Sequence, residues 1–395
     1  MKIMSINTGS SSLKFSLFNM DDESVIASGL FERIGLPDSN TIIKYNGMKL
    51  EEKIPMKDHA DAVNILLDKL VNLKIVNNLN EIDGIGHRVV HGKDKYNKSV
   101  VITDEVVKDL DEFKAFAPLH NGPNIVGIKA FREILPNKLM VGTFDTAFHQ
   151  TMEPVSYLYS VPLSWYEDYG IRKYGFHGTS HRYINETLSK MLNRNDLKII
   201  SCHLGNGGSI CAIDSGKSID TTMGFTPLTG IMMGTRSGDV DPSIIPYVME
   251  KEGKNASEVV DDLNKKSGLL GMSEKSSDMR DIIDGMNNGD EKCTLAFQKY
   301  CRCVTNYIAQ YYVLLGGADA IVFTAGLGEN SMPTRRQICE NLSVLGVKLD
   351  LEKNKVMGET AKISAKGSKI DVYVIPTNEE LMIARDVKKA LESGI

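Results

Sequence analysis

The sequence lacks any uninterrupted apolar run of membrane-spanning length, and it opens on a strand-like segment without a basic region and apolar core. Neither a membrane span nor a leader is therefore expected, and a cytoplasmic location is. Cysteine is sparse. The six thiols, Cys202, Cys211, Cys293, Cys301, Cys303 and Cys339, form no CxxC pair, which disfavours a disulfide framework or a zinc knuckle. Cys301 and Cys303 come closest, but a two-residue step in a helical pattern points them to different faces. Excess positive charge is missing too: the net charge of -5 argues against nucleic acid as the main partner while leaving room for a local basic pocket. No HExxH, GxSxG or HRD and DFG set occurs. Ser215-Gly216-Lys217-Ser218 looks like the tail of a P-loop, but Cys211 stands where the first glycine belongs and no helical pattern follows.

What is present begins at the N-terminus. An apolar strand, Lys2 to Ile6, runs into Asn7-Thr8-Gly9-Ser10-Ser11-Ser12-Leu13-Lys14 and leaves as a second strand. This turn gathers a glycine, hydroxyls, a carboxamide and a lysine, the donor set that suits a polyphosphate. A plain Ser-rich hairpin is the alternative. Half a chain later Lys198 to Asn206 repeats the pattern of Lys2 to Ser10, and Gly205-Asn206-Gly207-Gly208-Ser209 leads into a strand at Ile210 to Ile213. Two such hairpins imply two similar domains with a nucleotide between them, in keeping with 395 residues, and a chance match of short strands is the alternative.

Along the chain, Asp58 and Asp61 predict the cap of an amphipathic helix carrying Ala62, Val63, Leu66, Leu67 and Leu70. Ile82 to Val90 reads as a buried strand that delivers Arg88 to its end, where an anion or a structural ion pair must meet it. Helices are expected over 104–116 and 122–135, with Pro118 to Asn121 as the joint. Leu139 to Phe144 is a strand ending at Asp145, and the pattern loosens after it through Pro154 and Pro162, which marks a domain boundary near residue 150. Tyr166 to Arg172 looks irregular, and Ser180 is the expected cap of a helix over 182–192. His177 sits among glycines in Gly175-Phe176-His177-Gly178, as a ligand contact or as a satisfied loop histidine. The polar, glycine-punctuated segments Asp220 to Pro227 and Gly234 to Pro242 have no helical or alternating pattern, and the second holds Arg236, an anion clamp or a solvated arginine. A long helix near 292–315 precedes a strand at Asp319 to Thr324, and Ala325-Gly326-Leu327-Gly328-Glu329-Asn330-Ser331 reads as a glycine turn before a helix near Pro333. Thr377 with Glu380 predicts the cap of the last helix, and Glu379 in its first turn complements the dipole or faces a cation.

Taken together, Asn7 to Lys14, Gly175-Phe176-His177-Gly178-Thr179-Ser180-His181, His203-Leu204-Gly205-Asn206-Gly207 and Met233 to Pro242 closely resemble the acetokinase family, from the first strand to the last helix. The resemblance implies an α/β fold of two duplicated actin-like ATPase domains, with ribonuclease-H-like cores as in actin, hexokinase and the 70-kilodalton heat-shock ATPases, and an interdomain nucleotide cleft. It implies domains of residues 1–150 and 151–379, with the C-terminal helix, about 380–395, packing back on the first. It further implies reversible, Mg²⁺-dependent phosphorylation of acetate by ATP, Mn²⁺ able to substitute, in a homodimer. Asn7 and Glu379 would hold the metal. Ser10, Ser12, Lys14 and His203, Leu204, Gly205, Asn206 and Gly207 would meet the phosphates, while Asp278, Met279, Arg280 and Gly326, Leu327, Gly328, Glu329 and Asn330 would embrace the adenosine. Arg88 would bind the acetate carboxylate, Val90, Leu119, Phe176 and Pro227 its methyl group, and His177, Arg236 and His120 the transferring phosphoryl. Asp145 matches a catalytic position, and because a carboxylate substrate needs no base, it is expected to orient Arg88 or a metal-bound water. A propionate or butyrate kinase, or a non-catalytic ATP switch on the same fold, are the other readings.

Overall fold

The computed structural model describes residues 1–116 and 118–394, and the side chains at 115–120 lie outside the described part. The chain divides into two units, Met1–Phe148 with Asn378–Ile395, and His149–Thr377.

In the first unit β1 (Lys2–Thr8), β2 (Ser12–Asn19), β3 (Ser24–Glu32), β4 (Asn40–Tyr45), β5 (Met48–Lys53), β6 (Gly84–Val89), β7 (Val100–Val101) and β8 (Leu139–Phe144) make one sheet in the order β5-β4-β3-β2-β1-β6-β8-β7. The central strand β1 is antiparallel to β2 and parallel to β6. Its run Ile3-Met4-Ser5-Ile6 is buried, as a strand covered on both faces requires. Helix His59–Asn72, capped by Asp58 at 2.9 Å from the Asp61 amide, buries Ala62, Val63, Leu66, Leu67 and Leu70. On β6 the alternation Gly-Ile-Gly-His has a clear cause. Gly84 and Gly86 face the C-terminal helix Glu379–Glu392, where a Cβ at 86 would stand 2.3 Å from Ile383 Cγ2, while His87 faces Phe131, ring centroids 5.3 Å apart.

The second unit repeats this plan with β9 (Lys198–Leu204), β10 (Gly208–Asp214), β11 (Lys217–Thr221), β12 (Ala320–Thr324), β13 (Ala361–Lys362) and β14 (Asp371–Val374), ordered β11-β10-β9-β12-β14-β13. Here β9 is antiparallel to β10 and parallel to β12, which is parallel to β14. The sequence echo is thus an echo of pairing: Thr8 faces Leu13 across the turn Gly9-Ser10-Ser11, and Leu204 faces Gly208 across Gly205-Asn206-Gly207. The P-loop look-alike is the tight β10–β11 turn, with Ser215 and Gly216 at φ 49° and 80°.

Several local expectations are corrected. Leu163–Tyr169, expected to be irregular in part, is a helix that follows Pro162 and stops at Gly170 in the left-handed region; none of its residues is buried, so no apolar stripe announced it. The joint at Pro118 to Asn121 is the first turn of a helix Pro118–Ile134, with proline at the position where its missing N–H costs nothing. Helix Gly178–Leu192 starts directly after His177, which takes φ 56°, and Ser180 is not its cap but a member of a buried hydroxyl network. Ala325–Asn330 is helical, not an open turn, with Ala325 at φ 64°. Asn378, not Thr377, caps the last helix, accepting from the Leu381 amide at 3.0 Å, while the Thr377 hydroxyl meets Ser180 Oγ at 2.7 Å and Glu380 pairs with Lys14.

Candidate active site

In the first unit the ends of parallel strands and the start of the last helix bring the charged candidates together. Arg88, at the end of β6, donates from Nε and Nη2 to the two oxygens of Asp145 at 3.0 and 2.6 Å. Asp145 is 1 % exposed, and its amide is tied to the Val89 carbonyl at 2.9 Å, so the fork is fixed at both ends. Asp145, and after it Glu379 and Glu380, hold the Arg88 guanidinium firmly charged against its own desolvation. Glu379 is half-buried as a residue, yet its Oε1 is enclosed and without a hydrogen-bond partner among the described residues. That enclosure raises its carboxyl to about 7, with Asp145 and Glu380 adding and Arg88 and Lys14 opposing.

Asn7 lies half-buried on β1 opposite Lys14. Ser10 is exposed on the turn and Ser12 half-buried, and a Cβ at Gly9 would stand 2.6 Å from Ser12 Oγ, so the two residues lie in close contact there. Val90 is 8 % exposed, its amide donating to Asn124 Oδ1 at 3.1 Å, while Asn124 Nδ2 donates to the Thr8 carbonyl at 2.8 Å. Asn124 therefore clamps the ends of β1 and β6 together. It carries no motif, and only the tertiary pairing reveals it. The side chains of Leu119 and His120 lie outside the described residues.

In the second unit a cavity of about 820 Å³ is lined by Gly205, Asn206, Asp278, Met279, Arg280, Gly326, Leu327 and Asn330, together with Leu269, Ile283, Pro333 and Met357, which sequence reasoning did not single out. Those four supply apolar wall, and their positions carry no pattern beyond ordinary hydrophobic residues. Not every candidate faces this space. Leu204 is fully buried in β9, and Gly328 and Glu329 are turned into the fold: the Gly328 carbonyl accepts from Arg335 Nη1 at 2.9 Å, and Glu329 Oε1 accepts from the Thr377 amide at 3.0 Å. Arg335, fully buried, directs all its donors at the main-chain oxygens of Gly328, Glu329, Asn354 and Val356 and at Asn354 Oδ1, and so pins the 325–330 helix to the segment carrying Met357.

Beside the cavity, the Gly205-Asn206-Gly207 turn meets His177 and Arg236. A Cβ at Gly207 would lie 3.3 Å from Arg236 Nη1 and 3.8 Å from His177 Cε1, so both side chains reach the turn. The imidazoles of His177 and His203 stack with centroids 4.1 Å apart, and His203 Nδ1 lies 2.7 Å from Ser180 Oγ. Arg236 donates only to the Pro227 carbonyl at 3.4 Å and toward Met233 Sδ at 3.9 Å, with no ion pair among the described residues, and desolvation lowers its pKa. Glycines pack both loops tightly: in the Arg236 loop a Cβ at Gly238 would stand 2.5 Å from the Gly230 carbonyl, and in the His177 loop one at Gly175 would stand 2.7 Å from His149. Phe176 is 2 % exposed with its carbonyl 2.9 Å from His149 Nε2.

The sequence model of the acetokinase family matches residues 2–385. The chain is 55 % identical over 388 residues to an acetate kinase of Bacillus subtilis, covering 98 % of each chain. Among solved structures it is similar to an acetate kinase of Porphyromonas gingivalis, at 42 % identity and a TM-score of 0.95 over 99 % of both chains. It is similar also to a propionate kinase of Francisella tularensis, at 40 % identity and a TM-score of 0.93, covering 98 % of this chain and 99 % of that one. With its two sheets built on one repeated strand order, the chain belongs to the acetokinase family and has its duplicated actin-like ATPase fold.

Proposed function

We propose that this protein transfers the γ-phosphoryl group of ATP reversibly to acetate, giving acetyl phosphate and ADP. One observation carries the reading of the site: Arg236 is a desolvated guanidinium with no counter-anion among the described residues, set against a glycine turn beside a cavity of nucleotide size. A cation in that state is costly unless an anion arrives, and a phosphoryl group in transit is the anion that fits. Adenosine occupies the cavity lined by Asp278, Met279, Arg280, Gly326, Leu327 and Asn330, and the phosphates extend along the Gly205-Asn206-Gly207 turn.

Arg88, aligned by Asp145, binds the acetate carboxylate, which is already ionised and attacks the γ-phosphorus without a general base. The bond to the β–γ bridging oxygen breaks in line, and ADP leaves with that electron pair. Arg236 and His177 stabilise charge on the equatorial oxygens, each contact of this kind contributing about 3 kcal/mol. Asn7 and Glu379 fit a hard divalent cation, since both offer oxygen and Glu379 Oε1 is enclosed without a partner among the described residues. Mg²⁺ held there, largely through water, would neutralise the triphosphate. A cytoplasmic homodimer is part of the same proposal and is supported by the family likeness.

Arg236→Ala tests the reading in a hydroxamate assay for acyl phosphate. The expected result is a loss of kcat by roughly 10²–10³-fold with ATP affinity nearly retained. Near-normal turnover would remove Arg236 from the mechanism. The propionate kinase likeness favours one second reading, a longer acid as preferred substrate, and kcat/KM for two-, three- and four-carbon acids decides between them, one methylene being worth about 1–3 kcal/mol.

A further inference from the structure

Behind His177 lies a row of buried side chains that the transfer reaction does not itself use. Ser201 and Ser209 are fully buried on β9 and β10, and His181 is fully buried in the first turn of helix Gly178–Leu192. Ser201 Oγ is 2.8 Å from His181 Nδ1, His181 Nε2 is 2.8 Å from Ser209 Oγ, and Ser209 Oγ is 3.0 Å from His177 Nδ1. Counting protons along this row gives it a direction. Ser201 has no other side-chain hydrogen-bond partner among the described residues, so its O–H donates to His181 Nδ1 rather than remain an unmet buried donor. A neutral imidazole carries one N–H, which then sits on His181 Nε2 and donates to Ser209 Oγ. The Ser209 O–H is left to donate to His177 Nδ1. The remaining proton of a neutral His177 is therefore on Nε2, the nitrogen that a Cβ at Gly207 would meet at 3.9 Å.

We infer that Ser201, His181 and Ser209 are positioning residues, which fix His177 in the tautomer whose Nε2–H is presented as a hydrogen-bond donor at the Gly205-Asn206-Gly207 turn. The opposite tautomer would present a lone pair there, which repels a phosphoryl oxygen. Burial keeps His181 neutral, its pKa lying well below the ordinary value, so the row keeps a fixed proton count. The left-handed backbone at His177 and its stacking on His203 fix the ring plane, and the hydroxyl row fixes which nitrogen bears the proton. The consequence for rate rests on the reading of His177 as a phosphoryl contact. The tautomer does not.

The test joins a spectrum to kinetics in the full-length protein. With ring-¹⁵N histidine, and His177 assigned by its loss in His177→Gln, the wild-type ring is expected to show protonation at Nε2, and Ser209→Ala to show a mixture of tautomers. In the same variant kcat should fall about tenfold while KM for ATP and for acetate stay within about twofold. His181 supplies a second pair should Ser209→Ala fail to fold. His181→Leu should reproduce the loss, and His181→Gln, whose amide can still donate to Ser209, should recover most of it. An unchanged His177 tautomer in both Ser209→Ala and His181→Leu would overturn the inference. A changed tautomer with unchanged kcat would uphold the row and instead remove His177 from phosphoryl transfer.

Discussion

At the scale of single residues, the interior of this protein is unusual in keeping several histidines neutral. His87 is 2 % exposed, its Nε2 has no hydrogen-bond partner among the described residues, and burial pushes its pKa down to about 3. The direction of the pH effect follows. Below the ordinary value near 6.5 the unfolded chain takes up a proton that the folded chain refuses, so the contribution is fully present above that pH and is lost as pH falls toward about 3. One such group costs about 2 kcal/mol between pH 7 and pH 5. His87→Leu is accordingly expected to narrow the stability difference between those two pH values by about that amount in urea titrations, while His91 and His149, lowered to about 3 and about 4 by burial, keep the rest of the acid sensitivity. An equal pH dependence in the variant would show that His87 titrates in the folded state. Asp145 makes the kinetic counterpart. Asp145→Asn leaves the Arg88 fork with one acceptor and no charge, and KM for acetate should rise roughly 10–100-fold with KM for ATP unchanged. A fall in kcat alone would instead favour a role for Asp145 in the chemical step.

At the scale of elements, the C-terminal helix is the most consequential piece, because its first turn carries Glu379 and its body lies on the glycines of β6. Gly86→Ala would place a methyl group 2.3 Å from Ile383 Cγ2 and 3.2 Å from the Ile383 carbonyl, so the helix backbone itself must move. The expected cost is about 1–3 kcal/mol, read as a lower urea midpoint. An unchanged midpoint would mean that the helix is not seated there. Much of this level was legible from residues alone. The duplicated hairpins, the Asp58 cap and the buried strand ending at Arg88 each depend on contacts between sequence neighbours or on simple alternation. The Leu163–Tyr169 and Ala325–Asn330 helices were not legible, since the first buries none of its residues and the second begins at a left-handed Ala325. The Thr377 cap failed for a related reason: its hydroxyl meets Ser180, and Glu380, which would have closed a capping box, pairs with Lys14, both partners distant in sequence.

For the whole molecule, the decisive fact is that one unit is a continuous stretch, His149–Thr377, while the other is completed by the chain's return at Asn378. The continuous unit holds its own sheet, the large cavity, the Gly205-Asn206-Gly207 turn, His177 and Arg236. Expressed alone, residues 149–377 should therefore fold cooperatively and bind ATP by calorimetry, yet form no acetyl phosphate, since Arg88, Asp145, Asn7 and Glu379 belong to the other unit. A segment that stayed unfolded would show that the second sheet needs the first for stability.

The sequence by itself determined the family, the doubled strand plan and the identity of the charged candidates, because these rest on local motifs whose residue types and spacing survive in one dimension. Tertiary structure alone decided which of them meet: Arg88 with Asp145, Asn124 bridging two strand ends, Arg335 satisfied by carbonyls from separate segments, and the Ser201–His181–Ser209–His177 row. The physical reason is common to all four. A buried polar group takes whichever partner the fold brings within about 3 Å, and that partner's distance along the chain is unconstrained.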